Sequence, residues 1–104
     1  MKDVIHIIIV DDHRLFRMGL RNTFQFSCPD IRVAGEADSG EALFKLPALE
    51  TADLVLLDIN LPGMGGAEVA RRLRKDYPSL KILAISAENS AETIKEMIEA
   101  GCYS

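Results

Sequence analysis

Three acidic residues and one hydroxyl carry the chemistry that this sequence could perform. Asp11 and Asp12 follow the apolar run Val4–Val10, Asp58 ends the run Asp53–Asp58, and Ser86 ends the run Leu80–Ser86. One acid at the end of such a run is commonplace, because loops are polar. Acids ending two runs, beside a hydroxyl ending a third, favour a functional site over ordinary surface charge. Two carboxylates about 4 Å apart repel by roughly 4 kcal/mol at an effective dielectric near 20. Three together are costly unless a cation joins them or one stays protonated. An all-oxygen cluster on loops, with few protein ligands and room for water, suits Mg²⁺. A metal beside a carboxylate can take up charge from a phosphoryl group in an in-line transfer. In that chemistry Asp58 is the nucleophile and becomes an acyl phosphate, while the Ser86 hydroxyl is placed to hydrogen-bond a phosphoryl oxygen. The glycine-rich phosphate loops G-x-x-x-x-G-K-[ST] and G-x-G-x-x-G are absent, so no bound nucleotide is expected.

The elements that must position these residues are legible in the hydrophobic pattern. Val4–Val10 is a nearly unbroken β-branched run, the mark of a strand buried on both faces of a parallel sheet. From His13 to about Phe26 the period becomes helical, with Phe16, Leu20 and Phe24 four apart. Ile31–Ala37 reads as a second strand, and Ser39 as the N-cap of a helix whose apolar face is Ala42, Leu43, Leu46 and Leu49. Pro47 is expected to kink or shorten that helix. Asp53–Asp58 is the third strand, Leu61–Gly66 a loop, and Ala67 to about Asp76 a helix. Leu80–Ser86 is the fourth strand, and Ala91–Ala100 a helix with Ile94, Met97 and Ile98 inward, stopped at Gly101. Strict βα alternation implies a doubly wound α/β fold with a parallel sheet. Ligand sites in such folds lie beyond the carboxyl ends of the strands, where the strand order reverses.

The bulk properties narrow the function further. With 104 residues the chain holds one core. Its longest apolar runs are too short to span a bilayer, and no leader pattern is visible at its start, so a cytoplasmic location is expected. Net charge is −4. Arg71, Arg72, Arg74 and Lys75 alternate with Val69, Ala70 and Leu73, which reads as a solvated helix face, so this segment is not expected to bind nucleic acid directly. Cys28 and Cys102 lack metal-site spacing and are expected to be free thiols rather than a disulfide. His6 is given no role, and His13 reads as an exposed residue at the start of a helix.

Asp11-Asp12, the run Asp58-Ile59-Asn60-Leu61-Pro62-Gly63-Met64, and Ser86-Ala87, each after an apolar strand, resemble the receiver domain of two-component response regulators. The resemblance covers essentially the whole chain. Asp12-His13 and Val33–Ala37 are most similar to the NarL/FixJ type, whose receivers usually precede a helix-turn-helix DNA-binding domain. It implies a CheY-like, flavodoxin-like sheet of order 2-1-3-4-5. It also implies that Asp58 is the phosphoacceptor, that Asp12 ligates Mg²⁺ directly, and that Asp11 acts mainly through a metal-bound water. The main-chain carbonyl of Asn60 would be a further ligand. The side chains of Asn60 and Glu88 would line the approach and tune phosphoryl lifetime, Ser86 would be the switch hydroxyl, and small Ala87 would leave the site open. A sensor histidine kinase is the implied phosphodonor, and the domain is not expected to be an enzyme with its own substrate.

The family pattern continues past Gly101 into a fifth strand, bearing an aromatic switch residue and then a lysine, and a fifth helix. Lys81 and Lys95 lie in other elements, and Tyr103 falls short of the aromatic position. The expectation is a single receiver domain over 1–104, incomplete at its C-terminus and without an output domain, in which signal transmission is impaired. Leu80–Ile85 would then be an exposed apolar edge, and self-association or element exchange through it is expected. Two other readings remain. One is a degenerate receiver used only for protein–protein contact, favoured by the absent lysine and opposed by the complete acidic set. The other is an aspartyl-phosphate phosphohydrolase, which needs a second acid two residues after the nucleophile, where this sequence has Asn60.

Overall fold

The structure is a computed structural model that describes residues 4–86, 88–101 and 103. The elements run β1 (Ile5–Val10), α1 (Arg14–Ser27), β2 (Ile31–Ala37), α2 (Gly40–Leu43), a 3₁₀ turn (Pro47–Glu50), β3 (Leu54–Asp58), α3 (Gly66–Asp76), β4 (Lys81–Ile85) and α4 (Ala91–Ala100). All strand pairs are parallel, in the order β2-β1-β3-β4. This is the order expected for the first four strands of the doubly wound sheet.

Strand alternation divides the core into two layers. Ile7, Ile9, Leu56, Leu83 and Ile85 face α1 and α4, where they meet Leu20, Phe24, Ile94 and Ile98. Ile8, Val10, Val55, Leu57 and Ile82 face the other way, onto Leu43, Val69 and Leu73. The last four residues of β1 and all five of β3 are buried, which is why both read as continuous apolar runs rather than alternating ones. Each fully buried Leu, Ile or Phe contributes roughly 1.5–3 kcal/mol. The chain winds outward from β1 to β2, then returns to β3 on the opposite side of β1. The strand order therefore reverses between β1 and β3, and their carboxyl ends open a crevice there.

The second helix departs from the reading of one continuous, kinked element. Ser39 caps it, accepting the Ala42 N–H at 3.1 Å, but α helix lasts for only one turn. The next bonds, Lys45 N–H to Ala42 and Leu46 N–H to Leu43, already have 3₁₀ spacing. Leu46 is extended at ψ 123°, as the residue before a proline must be, and Pro47 then starts the 3₁₀ turn. Leu49 still reaches the core. Gly101 stops α4 as expected, in the left-handed region at φ 74°, with its N–H on the Ile98 and Met97 carbonyls. Cys28 is a buried free thiol; Cys102 lies outside the described residues.

β4 forms one border of the sheet. Lys81 N–H donates to the Asp53 carbonyl, and the Ile85 carbonyl accepts from Ile59, so residues 81, 83 and 85 turn their backbone groups toward β3. The backbone groups of Ile82 and Ala84 face away from β3, on a border that no other strand of the described residues covers. Beside it runs a groove of about 630 Å³ lined by Ile59, Ala67, Ala70, Arg74, Ala84 and Tyr103, among others.

Candidate functional site

Asp11, the first residue after β1, is fully buried although it is an acid. Its N–H donates to the Ala37 carbonyl (3.0 Å), and its own carbonyl accepts from the Arg17 guanidinium (2.5 Å). Arg17 is aligned in turn against Glu36, which also pairs with Arg21 at 2.8 Å. The Asp11 backbone is thus tied to β2 and α1. One carboxylate oxygen, Oδ1, accepts the His13 N–H at 2.7 Å, while Oδ2 is buried with no hydrogen-bond partner.

Asp58 ends β3 and is 1% exposed. Its Oδ1 accepts the Asn60 N–H at 2.9 Å, and the following residue is tied to β4 through Ile59 N–H on the Ile85 carbonyl. Its second oxygen, Oδ2, is again buried and without a partner. Burial pushes the Asp58 carboxyl above its ordinary value; the Asn60 N–H opposes this, and the charges of Asp11 and Asp12 add to it. Asp12 is the exposed member of the set.

His13 is exposed at the start of α1, as the sequence reading has it, and the structure adds a contact that the reading did not include. Although it stands at the N-cap of α1, its side chain makes no capping bond. The ring turns back into the acids, with Nδ1 2.7 Å from Asp11 Oδ1, 3.2 Å from Asp12 Oδ1 and 4.0 Å from Asp58 Oδ2. The Asp11 hydrogen bond raises the His13 pKa most, and the charge of Asp12 follows. The missed signal was local: a third group able to bind a metal or a proton directly follows two acids at a strand end. Ligand atoms of Asp11, Asp12, His13 and Asp58 all lie within 4.8 Å of one another. Two of these residues, Asp11 and Asp58, each keep a buried Oδ2 without a hydrogen-bond partner, which fits a hard divalent cation, because an unpaired buried polar atom is costly and a metal would satisfy it.

Ser86 follows β4, next to Ile85, which is in register with Asp58. Its N–H donates to Asn89 Oδ1 at 2.9 Å, its hydroxyl lies 3.5 Å from the same oxygen, and the Asn89 N–H returns to the Ser86 carbonyl. Asn89, which the sequence reading passed over, is therefore the residue that holds the hydroxyl loop. Asn89→Ala should lower stability by about 1 kcal/mol, the net worth of one such bond, measured as a shift in the urea midpoint at constant m. Asn60 is exposed two residues beyond Asp58, and Glu88 is exposed beside Asn89 at the mouth of a groove between α1 and α4. Ala87 lies outside the described residues. His6 stands at the other end of β1, where its N–H donates to Asp53 Oδ2. Arg72 lies over the Phe44 ring at 4.1 Å, so one residue of the basic helix face is packed rather than simply solvated.

A profile of the response regulator receiver domain matches residues 7–104. Similar proteins include the nitrate/nitrite response regulator NarL of Escherichia coli (strain K12), 37% identical over 95 residues, which are 91% of this chain and 44% of that protein. The transcriptional regulatory protein DegU of Brevibacillus brevis is 32% identical over 93% of this chain and 41% of its own length. The chain thus spans less than half the length of these relatives. Among solved structures, the signal receiver domain of the putative response regulator NarL from Mycobacterium tuberculosis superposes with a TM-score of 0.72 at 33% identity, covering 93% of this chain and 77% of that one. Acids gathered where the strand order reverses, on a parallel β2-β1-β3-β4 sheet, agree with that match over nearly the whole length, and the chain belongs to the response regulator receiver domain family, NarL/LuxR type.

Proposed function

We propose that this chain is a phosphoacceptor module, in which Asp58 takes a phosphoryl group from a sensor histidine kinase with Mg²⁺ held beside it. The observation that carries the reading is the asymmetry of Asp58: Oδ1 is held by the Asn60 N–H, and Oδ2 has no hydrogen-bond partner. A carboxylate fixed by one oxygen presents the other as a nucleophile in a defined direction. In the transfer, Asp58 Oδ2 forms a bond to phosphorus as the phosphorus–nitrogen bond of the donor histidine breaks, and that nitrogen keeps the electron pair. Asp12, Asp58 and the Asn60 carbonyl would hold the metal, with Asp11 acting mainly through a bound water. When bound, the ion neutralises the acids and the incoming phosphoryl oxygens. Ser86 would receive one of those oxygens on leaving Asn89, while the Asn60 and Glu88 side chains would tune access, with Ala87 leaving room.

The module has no substrate chemistry of its own beyond gaining and losing this phosphoryl group. In this reading it acts in the cytoplasm and governs a DNA-binding segment outside residues 1–104; the relative DegU is a transcriptional regulatory protein. Among the described residues no helix is long and apolar enough to cross a membrane. Beryllofluoride with Mg²⁺ mimics the acyl phosphate and tests the reading directly. Binding should require Mg²⁺ and vanish in Asp58→Asn. Binding that ignores either condition, or no binding at all, leaves a receiver used only for protein–protein contact.

The open edge of β4 supports pairing with a second copy of the chain, or exchange of elements with it. Among the described residues no strand pairs with the outward backbone groups of Ile82 and Ala84, which lie beside an apolar groove. Ala84→Pro removes an N–H that the sheet does not use, so the monomer fold should survive. Sedimentation should show self-association of the parent chain at high concentration, and a monomer for Ala84→Pro. A monomeric parent chain at its solubility limit would refute the pairing.

A further inference from the structure

We propose that His13 is a protein ligand of the metal cluster, bound through Nδ1, and that it turns the site toward late first-row ions such as Co²⁺ and Ni²⁺. The inference rests on the reading of Asp11, Asp12 and Asp58 as a divalent-cation site. An octahedral ion with bonds near 2.1 Å separates adjacent ligand atoms by about 3.0 Å and opposed ones by about 4.2 Å. Nδ1 of His13 is hydrogen-bonded at 2.7 Å to Asp11, the acid read as acting through a bound water, and lies 3.2 Å from Asp12 Oδ1, close to an adjacent spacing. Its 4.0 Å separation from Asp58 Oδ2 is close to an opposed one. In the metal-free cluster the 2.7 Å contact is a hydrogen bond, so an ion entering here takes the place of the Nδ1 proton, which leaves to solvent, and the 3.2 and 4.0 Å spacings then put the nitrogen in the ligand set.

Two further observations support this assignment. The His13 side chain does not cap α1, so the local helix end does not explain its direction. The ring also faces Asp58 Oδ2, which is buried and has no hydrogen-bond partner. A cation between that oxygen and the ring would satisfy it, and the nitrogen would replace one water of an otherwise all-oxygen shell. Oxygen shells suit Mg²⁺; imidazole nitrogen adds affinity for cobalt, nickel and zinc far more than for magnesium. His13 is half-exposed, so its ring can take up the ion by a small rotation while the outer edge stays in water. The chain's other histidine, His6, is at the far end of β1 and cannot share the site.

Calorimetric titration of the untagged 104-residue chain with MgCl₂ and with NiCl₂, in parent, His13→Ala and His13→Gln proteins, tests the assignment. Both variants should lose about tenfold or more in Ni²⁺ affinity, while Mg²⁺ affinity stays within about twofold, as removal of a nitrogen ligand predicts. Proton NMR of the Co²⁺ form should show a strongly shifted imidazole N–H resonance that is missing from both variants. Tighter binding of both ions in the variants would mean that the ring only fills the site and must leave, and it would overturn the proposal. Equal affinities in all three proteins would overturn it as well, with the Mg²⁺ site itself left standing. If the parent chain binds neither ion, the proposal and the metal-site reading fall together.

Discussion

Asp58→Asn is expected to raise the free energy of unfolding by about 1–2 kcal/mol in metal-free buffer at neutral pH, and to abolish stabilisation by Mg²⁺. The gain comes from frustration in the acidic cluster. Asp58 is buried near Asp11 and Asp12, with one oxygen unpartnered, and burial holds its carboxyl above the ordinary range. A carboxyl whose folded pKa exceeds its unfolded value binds more protons in the folded state between the two. Stability from this group is therefore highest in acid and falls as pH rises through the folded pKa. An uncharged amide removes that fall, and its NH₂ can donate to a neighbouring carboxylate. The gap between variant and parent should thus be near zero at about pH 4 and open toward neutrality, on the scale of one buried like-charge interaction. Mg²⁺ added to the parent should close the gap by mass action and should leave the variant unmoved. Urea unfolding at both pH values, with and without MgCl₂, gives all four comparisons. A variant no more stable than the parent at neutral pH would show that the cluster is not strained.

The same cluster shows how far the sequence could be read. Asp11, Asp12 and Asp58 were legible because the runs before them, Ile7–Val10 and Leu54–Leu57, are apolar without interruption and so mark buried parallel strands. Once those strands are neighbours in a parallel sheet, their terminal acids must meet. His13 was not legible in the same way. By position it is the residue that opens a helix, and nothing in the spacing encodes the 2.7 Å bond between its ring and Asp11. Asn89 failed for a related reason. Its role depends on a turn three residues wide, in which its side-chain oxygen takes the Ser86 N–H, and no periodicity encodes that. The break between α2 and the 3₁₀ turn lies between these cases. Pro47 announced a disruption, but whether the helix would kink or end was decided by Leu46, whose extended backbone follows from its place before the proline.

Gly66→Ala is expected to damage both the fold and the site, whereas Gly65→Ala, one residue earlier, should do little to either. The contrast follows from what a methyl group would meet. At Gly66, a Cβ would lie 2.9 Å from the Asp58 carbonyl oxygen, 3.3 Å from Ile59 Cα and 3.4 Å from the Ile59 carbonyl oxygen. All three are backbone atoms, in the segment that leaves β3 carrying the acceptor, so no side-chain rotation can relieve the contact. At Gly65 no heavy atom lies within 4 Å. The first turn of α3 is therefore pressed directly on the main chain of Asp58, and the missing side chain at Gly66 sets how close it can come. Forcing a methyl group into such a contact costs about 1–3 kcal/mol, as overpacking does elsewhere. It also displaces Asp58 relative to Asn60 and β4, whose hydrogen bonds fix the acceptor's direction. Shifts of about 1 Å in reacting groups can cost on the order of a hundredfold in rate. Gly66→Ala should therefore unfold at lower urea and, under conditions where it remains folded, accept phosphate from a small-molecule donor at least tenfold more slowly than the parent. Gly65→Ala should match the parent within about 0.5 kcal/mol and about twofold in rate. If both variants behave alike, the close approach of α3 is not what holds Asp58 in place. If Gly66→Ala loses stability but keeps the parental rate, the contact supports the fold without setting the direction of the acceptor.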